Sequence, residues 1–384
     1  MYASRLSIRN WRNFTRAEVE FRETTYLIGP NASGKSNFLD IFRFMRDICK
    51  PHGGGLQQAV ESRGGTSKVR SLAARKNPNV EFTFEFRESL RDRDGSPDWT
   101  YHISIGNEHA GRRRPLIQKE TVIKGEDLLL DRPDSDDRRD PERLTQTHIE
   151  QLSMNSAFRE IATFFEEVLY LHLVPQLLKY SDQLSLRHLE SDPFGQGLLE
   201  EIAKLPPKVR DSRLRRIEEI LLKLIPNLEQ LSFVKDEVTG QPHLEMLYKH
   251  WRPNAGKQRE DQFSDGTLRL MSMLWTLLTS NSVILLEEPE LSLHEAVVGQ
   301  IPKLIYRAHQ TRKQVGSQIL VSTHSASMLS DRSIDAKFLL LLPGEGGEST
   351  TICPPTEEDL AALGAGLSAA DVLLPKTAVS VKSL

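Results

Sequence analysis

The sequence has few cysteines, little net charge and no uninterrupted apolar stretch of membrane-spanning length. Cys49 and Cys353 are the 2 cysteines among 384 residues. Two cysteines are too few for a disulfide framework or a cysteine zinc site. Such a low cysteine content is typical of proteins in a reducing compartment. The formal net charge of -3 provides no overall positive field for nucleic acid, although a local basic patch is compatible with it.

Signals for export and membrane insertion are also missing. The N-terminal MYASRLSIRNWRNF carries charges where a signal peptide has an apolar core. The most apolar region, residues 268–286, is interrupted by Arg269, Asn281 and several hydroxyl residues, which makes it poorly suited to a bilayer. With 27% charged and 38% apolar residues, the composition is that of a globular protein. We expect a cytoplasmic protein that does not contact a membrane.

The most informative stretch is YLIGPNASGKSN, residues 26–37. It is a complete GxxxxGK[ST] phosphate loop between a short apolar strand and an apolar helix. The glycines let backbone N–H groups surround phosphate oxygens at a helix N-terminus, Lys35 can reach the β- and γ-phosphates, and the Ser36 hydroxyl can ligate Mg²⁺. A glycine-rich turn without a ligand is the alternative, and the full pattern disfavours it. The predicted phosphate-binding residues are Gly29, Pro30, Asn31, Ala32, Ser33, Gly34, Lys35, Ser36 and Asn37.

Around this loop the hydrophobic pattern predicts an α/β protein. Three short strands precede the loop, glycine-rich segments at residues 53–65 predict a mobile loop, and period-two alternation over residues 79–132 predicts an antiparallel meander. The phenylalanines of that meander are expected to be core residues rather than a base-stacking platform. Residues 131–142, DRPDSDDRRDPE, are expected to form an exposed charged linker. From residue 144 to residue 231 the pattern is helical and interrupted by prolines, and a short β-pair is expected between residues 230 and 248.

Three later motifs carry further candidate site residues. The Ser-Asp-Gly turn of DQFSDGTLRL places Ser264, Asp265 and Gly266 at a helix N-terminus that is suited to an anion. The segment SVILLEEPE is predicted to be a buried parallel strand that ends in two glutamates. Glu287 is suited to hold Mg²⁺ or its waters, and Glu288 is suited to orient and deprotonate the attacking water. QILVSTHS predicts another buried strand, which ends at His324, a residue suited to contact the γ-phosphate or to position the water.

The order of these motifs resembles the ABC-type ATPases of the RecF, structural-maintenance-of-chromosomes (SMC) and OLD group. The resemblance covers roughly residues 1–50 and 144–335 and rests on the phosphate loop, FSDGT, LLEEPELSLH, STHS and the opening LSIRNWRNF. It implies ATP and Mg²⁺ as cofactors and a head-to-tail homodimer or larger homo-oligomer. In such an assembly, the Ser264–Gly266 motif of one subunit meets the γ-phosphate held by the other, and residues 291–294 link the two sites.

Two departures from the group's pattern mark an OLD-like branch. Glu287 stands where aspartate is usual, and Asp265 replaces a glycine. The glutamine that normally senses Mg²⁺ has two candidates, Gln118 and Gln176. The resemblance implies an ABC-type head with a mixed sheet, an antiparallel meander and a helical insertion. We divide it into an N-terminal ATPase lobe (1–143), the helical insertion (144–231), a C-terminal ATPase lobe (232–343) and a C-terminal tail (344–384).

Two functional classes are compatible with such an ATPase. After His324 the chain has no carboxylate pair of the kind that two-metal nuclease chemistry requires, so we predict no nuclease in this chain and assign Glu345 and Glu348 to a loop. The insertion also lacks the sustained heptads of SMC arms. One class is an ATP-gated switch or scaffold for a separate effector protein, a nuclease or toxin, in bacterial anti-phage defence. The alternative is a RecF-like, ATP-dependent DNA-binding protein in repair or replication.

Overall fold

The structure is a computed structural model of the 384-residue chain. The residues that it describes are 1–74, 78–90, 95–108, 113–172, 174–179, 197–252, 257–280, 282–311, 318–332, 334, 336–344 and 349–378. None of the helices in these ranges combines the length and the apolar character needed to cross a lipid bilayer. The predicted loop residues Glu345 and Glu348, and Asn281, lie outside the described residues.

Groups of consecutive strands and groups of consecutive helices follow one another along the described chain. The strands are β1 (Tyr2–Trp11), β2 (Phe14–Glu20), β3 (Thr24–Ile28), β4 (Val80–Arg87), β5 (Trp99–Asn107), β6 (Pro115–Lys124), β7 (Asp127–Arg132), β8 (Leu169–Leu171), β9 (Leu228–Lys235), β10 (Pro242–Tyr248), β11 (Lys257–Arg259), β12 (Ile284–Glu287), β13 (Ile319–Thr323), β14 (Lys337–Pro343) and β15 (Thr350–Cys353). The helices are α1 (Lys35–Cys49), α2 (Leu56–Glu61), α3 (Thr66–Val69), α4 (Ser135–Arg139), α5 (Arg159–Glu166), α6 (Pro175–Lys179), α7 (Leu198–Lys204), α8 (Pro207–Leu224), α9 (Asp265–Thr279), α10 (Glu295–Val298), α11 (Ile301–Thr311), α12 (Ala326–Leu329), α13 (Glu357–Gly364) and α14 (Ala369–Val372).

The N-terminal sheet is antiparallel, with the strand order β2-β1-β4-β5-β6-β7. Strand β4 alternates between buried and partly exposed residues, as period-two patterning requires. Its buried Phe84 packs edge-on against Phe42 of α1 and Phe165 of α5, with ring centroids 5.6 and 4.9 Å apart. The predictions of an antiparallel meander and of a core role for its phenylalanines are therefore confirmed.

The second large sheet is mixed and positions the site. Its order is β15-β14-β3-β13-β12-β8, and β14, β3, β13, β12 and β8 pair in parallel. Parallel strands end at the same edge of a sheet, where ligands of α/β proteins bind. The ends of β3, β12 and β13 therefore bring the phosphate loop, Glu287 and His324 to one edge. The predicted buried parallel strands are confirmed.

A smaller antiparallel sheet, in the order β11-β10-β9, confirms the β-pair expected between residues 230 and 248 and adds a third strand. Two other predictions are wrong. The glycine-rich region that was expected to be a mobile loop, residues 53–65, contains α2, and α3 begins directly after it. Residues 169–171, which were expected to be helical, form β8 instead, because pairing with β12 overrides the apolar pattern of the preceding helix.

The expected exposure of residues 131–142 holds for most of the segment, but Arg132 and Asp137 are buried. The Arg132 side chain is fully buried, and its guanidinium contacts Glu120 at 3.0 Å and Asp137 at 2.8 Å. Glu120 also accepts a backbone hydrogen bond from His148 at 2.8 Å. The segment therefore folds back onto the N-terminal sheet around a buried ion network. A charge-rich composition predicts exposure only where the charges do not pair with one another.

Candidate nucleotide-binding site

The phosphate loop connects the end of β3 to the first turn of α1. Gly34 has φ 96°, a conformation that favours glycine, and a Cβ there would lie 2.1 Å from the Asn13 amide nitrogen. The Lys35 side chain is 5% exposed, and its Nζ donates to the carbonyl oxygens of Gly29 at 2.9 Å and Pro30 at 3.0 Å. The ammonium is therefore held inside the curve of the loop, where a phosphate oxygen can replace a carbonyl as its acceptor.

Two glutamates from the end of β12 reach this loop. Ser36 Oγ donates a hydrogen bond to Glu287 Oε1. The Glu288 carboxylate lies between two cationic or protonatable groups: its Oε1 is 3.6 Å from Lys35 Nζ and 3.3 Å from His324 Nδ1. Glu288 has φ 44° and donates its backbone N–H to the Ser322 carbonyl at 3.1 Å. The structure therefore brings Lys35, Ser36, Glu287, Glu288 and His324 together.

The donor set fits Mg²⁺ bound together with a nucleotide. Ser36 and Glu287 offer a hydroxyl and a carboxylate in direct contact, and Mg²⁺ usually takes one or two carboxylates while water and phosphate oxygens complete its shell. Among the described side chains, no group of three His, Cys, Asp or Glu residues has the arrangement of a protein-only metal site. The chemistry of the residues thus suits a metal that is held partly by its nucleotide.

The predicted signature motif lies at the start of α9 and has a different set of contacts. Ser264 is exposed, and its Oγ accepts the Thr267 backbone N–H at 3.1 Å, which caps the helix. Lys179 of α6 contacts Asp265 Oδ1 at 2.7 Å. The backbone of Gly266 adjoins Ser292, in the loop that follows the two glutamates.

Sequence reasoning missed a group of residues that support the phosphate loop from the turn between β1 and β2 and from the last strand. Thr350, at the start of β15, donates from Oγ1 to the Ser33 carbonyl at 2.9 Å and accepts from the Asn13 amide at 2.6 Å. Asn13 Oδ1 in turn accepts from the Asn37 amide at 2.8 Å. No local signal identifies Thr350, since it is separated from Ser33 by 317 positions.

Tyr170 and Glu290 were also missed. Tyr170 of β8 donates its hydroxyl to Glu287 Oε2. Burial, followed by this hydrogen bond, raises the pKa of Tyr170, so the phenol stays protonated at neutral pH. The buried Glu290 accepts from Thr323 Oγ1 at 2.5 Å and from the His324 backbone N–H at 3.3 Å, and burial raises its pKa. Glu290 thereby joins the turn after β12 to the turn after β13.

The two candidate glutamines lie in different places. Gln118, on β6, lines a cavity of about 290 Å³ together with Trp11 and Arg70, beside the N-terminal sheet. Gln176 belongs to α6, which begins four residues after β8, the strand that pairs with β12. Its side chain lies outside the described part of the structure, so both glutamines stay candidates.

The family model AAA_21, described as "AAA domain, putative AbiEii toxin, Type IV TA system", matches residues 25–330. The chain belongs to the AAA_21 family. A 92-residue segment of this AAA_21 protein is 30% identical to the DNA replication and repair protein RecF of Synechocystis sp., and that segment is 24% of each chain. The AAA_21 protein thus spans about a quarter of the length of the RecF that it matches.

Solved structures show the same fold. An SMC head bound to the C-winged helix domain of ScpA has a TM-score of 0.56 at 15% identity, covering 94% of this chain and 100% of that chain. An SMC head from Pyrococcus furiosus, with an extended coiled coil and bound to the C-terminal domain of ScpA, has a TM-score of 0.52 at 12% identity, covering 95% and 98%. The AAA_21 protein therefore has the fold of these SMC heads.

Proposed function

We propose that this AAA_21 protein binds ATP with Mg²⁺, hydrolyses it in a site completed by a second copy of the chain, and uses that cycle to hold and release a separate effector protein. The observation that carries the catalytic part is the position of Glu288. Its Oε1 is 3.6 Å from the phosphate-loop lysine and 3.3 Å from His324. A carboxylate at the end of a parallel strand and beside a phosphate loop is placed to act on a terminal phosphate.

Each residue has a distinct task in this proposal. Lys35 binds the β- and γ-phosphate oxygens, and Ser36 and Glu287 hold Mg²⁺, which when bound neutralises charge on the phosphates. Glu288 orients the attacking water and accepts its proton, and His324 holds the Glu288 carboxylate toward that water. Glu290 fixes the backbone of His324 through the 3.3 Å hydrogen bond.

The proposed dimer would bring the exposed start of α9 to the partner's nucleotide. Ser264 and Gly266 offer a hydroxyl and bare backbone at the N-terminus of a 15-residue helix, where an anion is favoured. A negatively charged γ-phosphate held by another copy fits that end, and it makes association depend on ATP. Asp265 is held by Lys179 at 2.7 Å, which offsets the charge that this aspartate adds near the phosphate.

The proposed cellular role is a switch in bacterial anti-phage defence that acts in the cytoplasm on a separate nuclease or toxin. The family description, which mentions a toxin–antitoxin system, supports a defence role. The SMC heads in the two matched structures are bound to ScpA domains, which supports the use of such a head as a platform for a partner protein. The proposal assigns no nuclease to this chain.

The second candidate function is ATP-dependent DNA binding in repair or replication. The segment that is 30% identical to RecF favours it. The two candidates differ in whether duplex DNA stimulates hydrolysis, because a DNA clamp couples its nucleotide cycle to the DNA that it holds.

The deciding experiment measures phosphate release by the purified full-length protein with Mg²⁺ and ATP, in the presence and absence of duplex DNA. Lys35→Ala is the inactive comparison, and Lys208→Ala, an exposed lysine on α8, is the matched control. We expect slow turnover that requires Lys35 and is unaffected by DNA. Strong stimulation by DNA would replace the switch with the DNA-binding candidate. Turnover that survives Lys35→Ala would overturn the site assignment.

A further inference from the structure

The two carboxylate oxygens of Glu287 have different hydrogen-bond donors. Ser36 Oγ, on α1, donates to Oε1, and the Tyr170 hydroxyl, on β8, donates to Oε2. Strands β8 and β12 pair in parallel, with Tyr170 opposite Leu285. The tyrosine therefore lies on the strand next to Glu287 and reaches it from the side away from β13.

The Tyr170 ring is itself fixed in place. The Arg43 guanidinium of α1 lies over the ring, 4.0 Å from its centroid, and Arg43 Nη1 is 3.8 Å from Asp40 Oδ1 on the same helix. The helix that carries Ser36 thus also holds Tyr170 through a cation–π contact. Any movement of α1 relative to β12 would disturb both hydrogen bonds to Glu287 together.

A glutamate needs such support more than an aspartate does. It has one more rotatable bond, so a free carboxylate at the end of β12 samples more orientations and loses more entropy when it holds a metal shell. Because the Tyr170 hydroxyl binds Oε2 of Glu287, the other carboxylate oxygen, Oε1, faces Ser36. Outer residues that orient a metal-binding carboxylate in this way strengthen metal binding without touching the metal.

We propose that Tyr170 is a positioning residue that orients Glu287 for the Mg²⁺–nucleotide complex and that it compensates for the longer side chain at this position. This inference rests on the proposed function, since it concerns the metal of that site. It assigns Tyr170 no contact with the nucleotide and no part in proton transfer. Its effect is therefore specific to Mg²⁺ and absent from nucleotide binding without the metal.

The test is a Mg²⁺ titration of the binding of a fluorescent ATP analogue to the full-length protein and to Tyr170→Phe. Phenylalanine keeps the ring beneath Arg43 and removes only the hydroxyl. We expect the Mg²⁺ concentration at half-saturation to rise about threefold to tenfold, the effect of one hydrogen bond, with affinity in EDTA unchanged. Tyr306→Phe is the control, because Tyr306 is 56% exposed and lies on α11.

A second comparison separates positioning from general damage. Glu287→Asp shortens the carboxylate side chain and withdraws it from the Tyr170 hydroxyl, so Tyr170→Phe should have no further effect on the Mg²⁺ midpoint in that background. An unchanged midpoint in the single variant overturns the proposal. Equal losses with Mg²⁺ and with EDTA also overturn it, since they indicate a disturbed phosphate loop. Failure of the unmodified protein to bind the analogue with Mg²⁺ would instead refute the proposed function itself.

Discussion

The α-carbon of Gly266 lies directly against the carbonyl oxygen of Ser292: a Cβ built on Gly266 would be 2.5 Å from that oxygen. Gly266 is in the first turn of α9, and Ser292, with φ 63°, belongs to the loop between β12 and α10 that also contains Glu288 and Glu290. The proposed trans-acting helix terminus and the proposed hydrolytic glutamate are therefore mechanically connected within one subunit.

Gly266→Ala should separate α9 from this loop. The methyl group meets backbone rather than a flexible side chain, so one of the two elements has to move, at a typical cost of about 1 to 3 kcal/mol for overpacking. We expect weaker ATP-dependent association, measured by light scattering, and a lower unfolding midpoint. Gly364→Ala is the matched control, because a Cβ there meets nothing within 4 Å. Equal behaviour of the two variants would show that the close approach has no consequence.

Glu288→Gln should bind ATP but not hydrolyse it. Glutamine keeps the shape of the side chain and its reach toward His324 but cannot accept a proton from water, so turnover should fall at least about a hundredfold. The closed assembly should accumulate with ATP, as size-exclusion chromatography with light scattering would show. Glu295→Gln, in the short helix α10 that follows, is the comparison. Substantial remaining hydrolysis would remove Glu288 from the role of base.

Ser264→Arg should prevent association while the monomer still binds nucleotide. The substitution puts a bulky side chain at the exposed N-terminus of α9 and removes the cap to Thr267. Ser264→Ala removes the cap, at a cost of about 1 kcal/mol, without adding bulk, and therefore isolates the steric effect. Affinity for ATP is measured with dilute protein, and the oligomeric state is measured at high concentration. ATP-dependent assembly by the arginine variant would contradict the model of a shared site.

Thr350→Val should weaken ATP binding, although Thr350 is 317 positions from Ser33 of the phosphate loop. Valine keeps the volume but leaves the Ser33 carbonyl without its 2.9 Å donor and Asn13 without its 2.6 Å acceptor. Losing such a hydrogen bond costs about 1 kcal/mol, and we expect a severalfold weaker affinity for ATP. Thr351→Val, on the exposed side of the same strand, is the control. Calorimetric titration that finds equal affinities would show that β15 does not support the loop.

The protein should be less stable in mild acid than at neutral pH because of His148. Burial and the nearby Arg132 lower the pKa of His148 from 6.5 to about 4. Below pH 6.5 the unfolded chain therefore binds a proton that the folded protein does not, and stability falls as the pH decreases toward 4. From pH 7.5 to pH 5 this group alone should cost about 2 kcal/mol. Urea unfolding of His148→Gln should show a smaller loss over that range, whereas the exposed His52→Gln should match the unmodified protein.

Local sequence patterns were sufficient to predict an element wherever its own residues carry a recognisable motif or periodicity. The phosphate loop follows from glycine spacing between a strand and a helix, and SVILLEEPE and QILVSTHS follow from short apolar runs. Those runs sit at the centre of the mixed sheet, where burial on both faces demands apolar residues. The same reasoning failed at Leu169–Leu171, because three residues are too few to distinguish a strand from the end of a helix.

The sequence by itself determined the identity of the phosphate loop, the glutamate pair, the histidine and the meander, since each depends on spacing along the chain. Only the tertiary structure decided that Tyr170 holds Glu287, that Thr350 supports the loop, and that Arg132 is buried between Glu120 and Asp137. These contacts join residues 117, 317 and 12 positions apart, respectively, the last measured from Arg132 to Glu120. Strand order and pairing create them, and no local periodicity encodes which distant polar groups will meet when the sheets form.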